Sequence, residues 1–166
     1  MAEALPKMKS LEELYLNENE IGDEGADALA QALAHKSSLR VVDLSASKVS
    51  DKGAAAIAGA LTEEHGLGSL ILSRNAITDE GAQALAALLR RRTALESIHL
   101  GGNGISDEGA QAIAAALKEN DKITHVDLSA NKLGNAGASH IRQVLDVRLP
   151  SFLVVCMRAL CVSFFV

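Results

Sequence analysis

One spacing governs this chain of 166 residues: it divides without gaps into consecutive blocks of 28 residues that begin at Leu11, Leu39, Leu67, Leu95 and Ile123. In each block the first, fourth, sixth and eleventh positions are aliphatic, as in Leu11, Leu14, Leu16 and Ile21, or Leu95, Ile98, Leu100 and Ile105. The ninth is Asn19, Ser47, Asn75, Asn103 or Asn131. Alternation around positions 4 and 6 predicts a short strand with one buried face. Positions 16, 19, 20 and 23, as in Ala26, Leu29, Ala30 and Leu33, repeat at the spacing of one helix face. Each block therefore reads as strand, turn and helix. Such a unit cannot bury its apolar face alone, so the copies must stack, strands side by side in a parallel sheet and helices outside.

Composition agrees. Hydrophobic residues make up 48% of the chain, but there are only one Tyr, three Phe and no Trp. The core must then be built from Leu, Ile, Val and Ala, which suits elements that approach closely and regularly. A net charge of −5 with no basic block argues against a nucleic-acid groove, which needs clustered Lys and Arg. Partners are expected to be proteins. Cys156 and Cys161 are the only cysteines, too few for a disulfide framework or a four-cysteine zinc site. Residues 1–10 lack the basic start and apolar run of a signal peptide, so a reducing, cytoplasmic compartment is expected. No cofactor is implied.

The stretch "NENEIGDEGAD", Asn17 to Asp27, superficially resembles a calcium loop. Counted as such a loop, it places Ile21 at position 5 and Ala28 at position 12, where oxygen ligands are required. The repeat explains it better. Asp23-Glu24-Gly25 recurs as Asp51-Lys52-Gly53, Asp79-Glu80-Gly81 and Asp107-Glu108-Gly109, always where a helix begins. The aspartates are read as caps of those helices, and the ninth-position Asn as a hydrogen-bonded ladder between turns, with Ser47 a weaker rung. Gly25, Gly53, Gly81, Gly109 and Gly137, each followed by Ala, predict close helix packing.

The pattern seen as "LEELYLNENEIGDEGADALAQAL" and again as "LESIHLGGNGISDEGAQAIAAAL" resembles the leucine-rich repeat of the ribonuclease-inhibitor subtype over residues 11 to about 148. The resemblance implies an α/β solenoid, a horseshoe segment with its parallel sheet on the concave face and its helices on the convex face. Relatives include the ribonuclease inhibitor, the Ran GTPase-activating protein and the repeat domains of NOD-like receptors, most of which act by binding another protein. Five repeats are too few to encircle a ribonuclease. Regulation of a small GTPase is the alternative to a plain binding module, although no residue here matches the Asn that such regulators position.

At the start, Ala4 and Leu5 fall where Ala32 and Leu33 stand one block later. Residues 1–10 thus read as the end of a preceding helix, and the chain as a piece of a longer array or a truncated product, with a short first helix acting as its own cap as the alternative. At the other end, Asn135, His140 and Arg142 replace Asp, Ala and Ala of the pattern. The tail "LPSFLVVCMRALCVSFFV" carries all three Phe and no acid. Leu149, Phe152 and Val154 would serve as first, fourth and sixth positions of a shortened sixth repeat. An out-of-frame end and a membrane anchor stay open, the last opposed by Pro150 and Arg158.

Residues flanking positions 4 and 6 must point out of the concave sheet. Position 5 gives Tyr15, Asp43, Ile71, His99 and Asp127, expected to form the central contact stripe for a protein partner, with Glu18 and Arg74 at its rim. An apolar or aromatic anchor among polar groups suits a hot spot. His99 and Asp127 are close enough on neighbouring strands to pair, with His125 diagonally near. A hydrolytic or metal site would need that trio, but a solvated surface pair fits as well, because no nucleophile is oriented there. Neither a catalytic nor a metal site is expected. Arg90, Arg91 and Arg92 form the only basic run, read as a solvated helix end complementing the dipole. No small-molecule substrate or membrane partner is indicated.

Overall fold

A computed structural model describes residues 10–34, 38–62, 65–91, 93–147, 154–157 and 160–162. Strands and helices alternate: β1 Glu13–Tyr15, α1 Gly22–Leu33, β2 Val41–Asp43, α2 Asp51–Ala60, β3 Ser69–Ile71, α3 Asp79–Leu89, β4 Ser97–His99, α4 Asp107–Glu119, β5 His125–Asp127 and α5 Asn135–Val147. Two strands follow, β6 Val154–Met157 and β7 Leu160–Val162. One sheet holds all seven in chain order. From β1 to β5 each residue pairs with its equivalent one block on, as Leu14 with Val42 and Ile98 with Val126. This is the stack of strand, turn and helix expected from the period, in the arrangement the resemblance implies, with the sheet on the concave face and the helices on the convex one. No helix among the described residues is long and apolar enough to cross a membrane.

The core lies between these layers. The central rungs Val42, Leu70, Ile98 and Val126 are fully buried, as are Leu44, Leu72 and Leu100 two residues on. On the helix side Ala54, Ile57, Ala82, Leu85, Ala86, Ala110 and Ile113 are equally shut off from water. Leu14 and Leu16 are only half-buried, because β1 has a single strand neighbour in the described sheet.

Three polar ladders bind repeat to repeat. The first is the expected asparagine ladder. Asn103 Nδ2 donates to Leu72 O and Leu100 O, both at 2.9 Å, while its Oδ1 accepts from Ile77 N at 3.1 Å. Asn75 and Asn131 repeat that scheme. Ser47 supplies half a rung: its hydroxyl donates to Leu16 O at 3.0 Å, but a hydroxyl on so short a stem leaves the preceding turn without the amide acceptor.

The second ladder corrects the capping assignment. Each aspartate completes the start of the next repeat's helix, not of its own. Asp79 accepts from Ser106 N at 2.7 Å, Ser106 Oγ at 2.6 Å and Gly109 N at 2.9 Å. Asp23, Asp51 and Asp107 do the same for the starts of α2, α3 and α5. The reason is geometric: Asp79 already lies inside the first turn of α3, so its short side chain reaches sideways rather than back. Ser50 and Ser106 are the N-caps of their own helices. The ladder also explains the glycines. A Cβ on Gly81 would lie 2.5 Å from Asp51 Oδ1 and 2.7 Å from Ile77 Cγ2, and one on Gly109 would lie 3.0 Å from Ala82 Cβ.

The third ladder was not foreseen. His65 Nε2 donates to Leu33 O at 2.7 Å, with its Nδ1 accepting from Thr62 N at 3.0 Å. One block on, the Arg91 guanidinium donates to Ala58 O and Leu61 O at 3.1 and 3.2 Å. In the next, Asn120 Nδ2 donates to Leu89 O at 2.5 Å. Each closes the C-terminal carbonyls of the preceding helix, which have no partner within it. Arg91 therefore serves the end of α2, not the solvated end of its own helix. Arg90 is the C-cap residue of α3, and Arg92 lies outside the described residues.

The last strands depart from the expected register. Val154 pairs with His125 and Val155 with Val126, so the fourth position falls on Val155, three residues beyond Phe152. Val154 takes the third position, not the sixth. Helix α5 has the same length as α4, 13 residues, and the same place in its block, so nothing in the helix shortens the sixth repeat, and Val155 follows its partner Val126 by 29 residues. Strand β7 then turns back antiparallel to β6, a hairpin absent from the repeat pattern. Leu149 and Phe152 lie outside the described residues, as do Ala4 and Leu5.

Candidate functional site

The concave strip is set by register alone. Tyr15 pairs with Asp43, Asp43 with Ile71, Ile71 with His99 and His99 with Asp127, which lines up one side chain from each strand. Tyr15 is 57% exposed, the one exposed large hydrophobic side chain among the described residues. Asp43, Ile71, His99 and Asp127 are half-buried.

Local chemistry fixes most of these groups. Tyr15 Oη donates to Glu13 Oε2 at 3.0 Å, and this bond to a carboxylate holds the phenol pKa above its ordinary value. Asp43 accepts from Ser45 N at 2.8 Å and Ser45 Oγ at 2.6 Å, and Asp127 from Ser129 N at 2.9 Å. These are turns in which a short carboxylate satisfies a nearby N–H. Asp127 also leans over Gly101, where a Cβ would stand 2.7 Å from its Oδ2.

The expected pairing of His99 with Asp127 does not form. The carboxylate is engaged by Ser129 instead, and His99 turns to His125, the ring centroids 4.8 Å apart and the planes tilted by 34°. Burial first, and the neighbouring His125 second, press the His99 pKa below its ordinary value, against the pull of Asp127 and Asp43. Nothing here resembles a base held by an orienting acid. Among the described residues no three His, Cys, Asp or Glu side chains converge as a metal would require.

Glu18 and Arg74 stand at the rim, both exposed. They occupy the eighth position of their repeats, where the backbone is left-handed: φ is 59° at Glu18, 52° at Ala46, 56° at Arg74, 74° at Gly102 and 53° at Ala130. The stem of Arg74 runs along the backbone of Gly102, whose Cβ would meet Arg74 Cγ at 3.2 Å.

A second feature escaped the sequence reading. At the other end of the strands an open groove is lined by Arg40, Gly68, Ser69, Glu96, Ser97 and Thr124. Small residues at its floor make the dent, and Ser97 Oγ donates to Ser69 Oγ across it at 2.8 Å. Gly66 and Gly68, so close in the sequence, were the available signal.

The GTPase-regulator alternative finds no support. Asn75, Asn103 and Asn131 are consumed by backbone groups of the ladder. A structure titled "Leiomodin-1 Actin-Binding Site 2 (ABS2)" superposes with a TM-score of 0.71 at 20% sequence identity, over 87% of this chain and 85% of that one. The tropomodulin C-terminal domain of Caenorhabditis elegans gives 0.67 at 18% identity, over 87% and 89%. At such identities the likeness is one of fold. No curated protein sequence matches the chain. A family model described as "Leucine Rich repeat" matches residues 7–30, 35–58, 67–86, 93–114 and 119–141. Those segments make up more than half of the sequence and each contains one of the strands β1 to β5, and the chain belongs to the leucine-rich repeat family.

Proposed function

We propose that this chain is a protein-binding module whose partner docks on the concave sheet, across Tyr15, Asp43, Ile71, His99 and Asp127, with Glu18 and Arg74 at the rim. The supporting observation is internal to the chain. Positions that build the solenoid hardly change from block to block, whereas position 5 runs through Tyr, Asp, Ile, His and Asp. Variety is concentrated where the fold does not need uniformity, on a rigid, outward-facing strip. An exposed aromatic at one end, an aliphatic at the centre and charged or polar groups between them match the mixture that dominates binding energy in protein interfaces.

The leiomodin structure's title names actin binding, which makes actin the first partner to try. Actin binding and capture from cell lysate are compared for the unaltered chain and for a variant carrying Tyr15→Ala, Asp43→Ala, His99→Ala and Asp127→Ala, after circular dichroism has matched the two. Partners held by the first and lost by the second support the reading. If both hold the same partners, or neither holds any, docking on the concave strip is wrong.

A further inference from the structure

The two cysteines of this chain, five residues apart in the sequence, stand directly opposite each other in the β6–β7 hairpin: Val155 pairs with Val162, Cys156 with Cys161 and Met157 with Leu160. Directly opposite residues of an antiparallel ladder have Cα atoms ~4.5 or ~5.5 Å apart, according to whether the pair exchanges hydrogen bonds. Disulfides span Cα separations of about 4.4–6.8 Å. The backbone therefore brings the cysteines to bonding distance without moving a strand.

We infer that Cys156 and Cys161 are a reversible cross-strand thiol–disulfide pair that sets how firmly β7 closes the sheet. The oxidant is a small disulfide such as glutathione disulfide. One cysteine thiolate attacks it, forming a mixed disulfide and releasing a glutathione thiol. The second cysteine displaces the other glutathione. The two cysteine sulfurs lose two electrons and two protons in all, and one disulfide becomes two glutathione thiols. With no other cysteine in the chain, only one intramolecular pairing exists. Reduced, β7 is held to β6 by a three-residue ladder, and hairpins that short are marginal in water. Oxidised, it is tied in register, and the backbone groups of β6 that would otherwise form an open edge stay covered.

The test equilibrates the full chain with glutathione buffers of graded composition, traps free thiols with a mass tag, and counts disulfides by mass spectrometry in native buffer and in concentrated guanidinium chloride. The pre-aligned hairpin is expected to favour the intramolecular bond at least tenfold over the unfolded chain, about 30 mV towards the reducing side. Equal constants in the two states overturn the inference, as does native material dominated by glutathione adducts or disulfide-linked dimers. A second readout is amide exchange at residues 160–162, expected to slow on oxidation and to stay fast in Cys156→Ser under the same oxidant. Exchange that ignores the redox state sinks the claim that the bond governs closure.

Discussion

The joint between the third and fourth repeats and the joint between the first and second use the same parts with different completeness. At the former, Asn103 serves both flanking turns, and Gly104 N donates to Ile77 O at 2.8 Å, a contact repeated by Ala76 and Lys132. At the latter, Ser47 offers only a hydroxyl. The turn of the first repeat then rearranges, with Gly22 N donating to Ser47 O at 2.9 Å, Gly22 taking φ 61° and α1 starting at Gly22, one residue early for its block. Lys48 adopts φ 58° in the same joint and pairs with Glu20 at the surface, an exposed contact worth little. The aspartate ladder is unaffected, since Asp23 still accepts from Ser50 N at 2.7 Å and Gly53 N at 3.1 Å. One substitution thus retunes a turn while the helices stay in step, because the turns and the helix starts are stitched separately.

That separation can be broken by mutation. Gly81→Ala should cost about 3 kcal/mol, combining overpacking with loss of the Asp51 bond. Gly25→Ala should cost less than about 1 kcal/mol, because its Cβ would meet only the Ile21 side chain. Denaturant midpoints that fall equally would show the aspartate ladder to be idle. Ala82→Leu, at a site with no exposed surface, should cost about 2 kcal/mol by overpacking, and an unchanged melting temperature would refute the tight stack. Asn103→Ser should lower stability by about 1.5 kcal/mol and Ser47→Asn raise it by about 1 kcal/mol. If exchanging the residues leaves both joints unchanged, the acceptor is not what distinguishes them.

Acid should act on the two ladders differently. Burial pushes the carboxyls of Asp23 and Asp79 up, but the serine hydroxyl and the two backbone N–H groups facing each hold them below the ordinary value. Their contribution is present above the ordinary carboxylate pKa and is lost as pH falls through the lower folded value. Asp79→Asn should flatten the acid limb of a stability profile, whereas Asn103→Ser should shift it without changing its slope. The smallest effect belongs to His99. Its lowered pKa means that the unfolded chain takes up protons first, so stability declines as pH falls from the ordinary histidine pKa towards the folded one. His99→Gln should remove that part of the slope.

These ladders also mark what the sequence could and could not reveal. Strands, helices and the position-5 row follow from apolar spacing, which a single block displays. The asparagine ladder was legible because an amide both donates and accepts at a position that hardly varies. The target of Asp79 was not, since in a chain of constant period the helix start two residues on and the one 30 residues on look alike. The ladder through His65, Arg91 and Asn120 uses three residue types at three different offsets, so no pattern announces it. For the candidate site, register placed His99 beside Asp127, but a backbone N–H two residues away claimed the carboxylate, a competition between near neighbours that spacing does not resolve.

The sideways reach of the aspartates bears on how such an array could lengthen. Blocks one to four carry a plug, the carboxylate of their own Asp, blocks two to five a socket, the N–H of their own Gly, and plug meets socket only between successive blocks. A duplicated block arrives with both halves, so the new joint is matched at the moment the copy is made. Joining works in one direction only, from the plug of one unit into the socket of the next, and a unit with Asn in place of Asp, as at Asn135, is a coupling with its charge removed. The shortest gain or loss of chain that leaves every plug facing a socket is therefore a whole 28-residue unit.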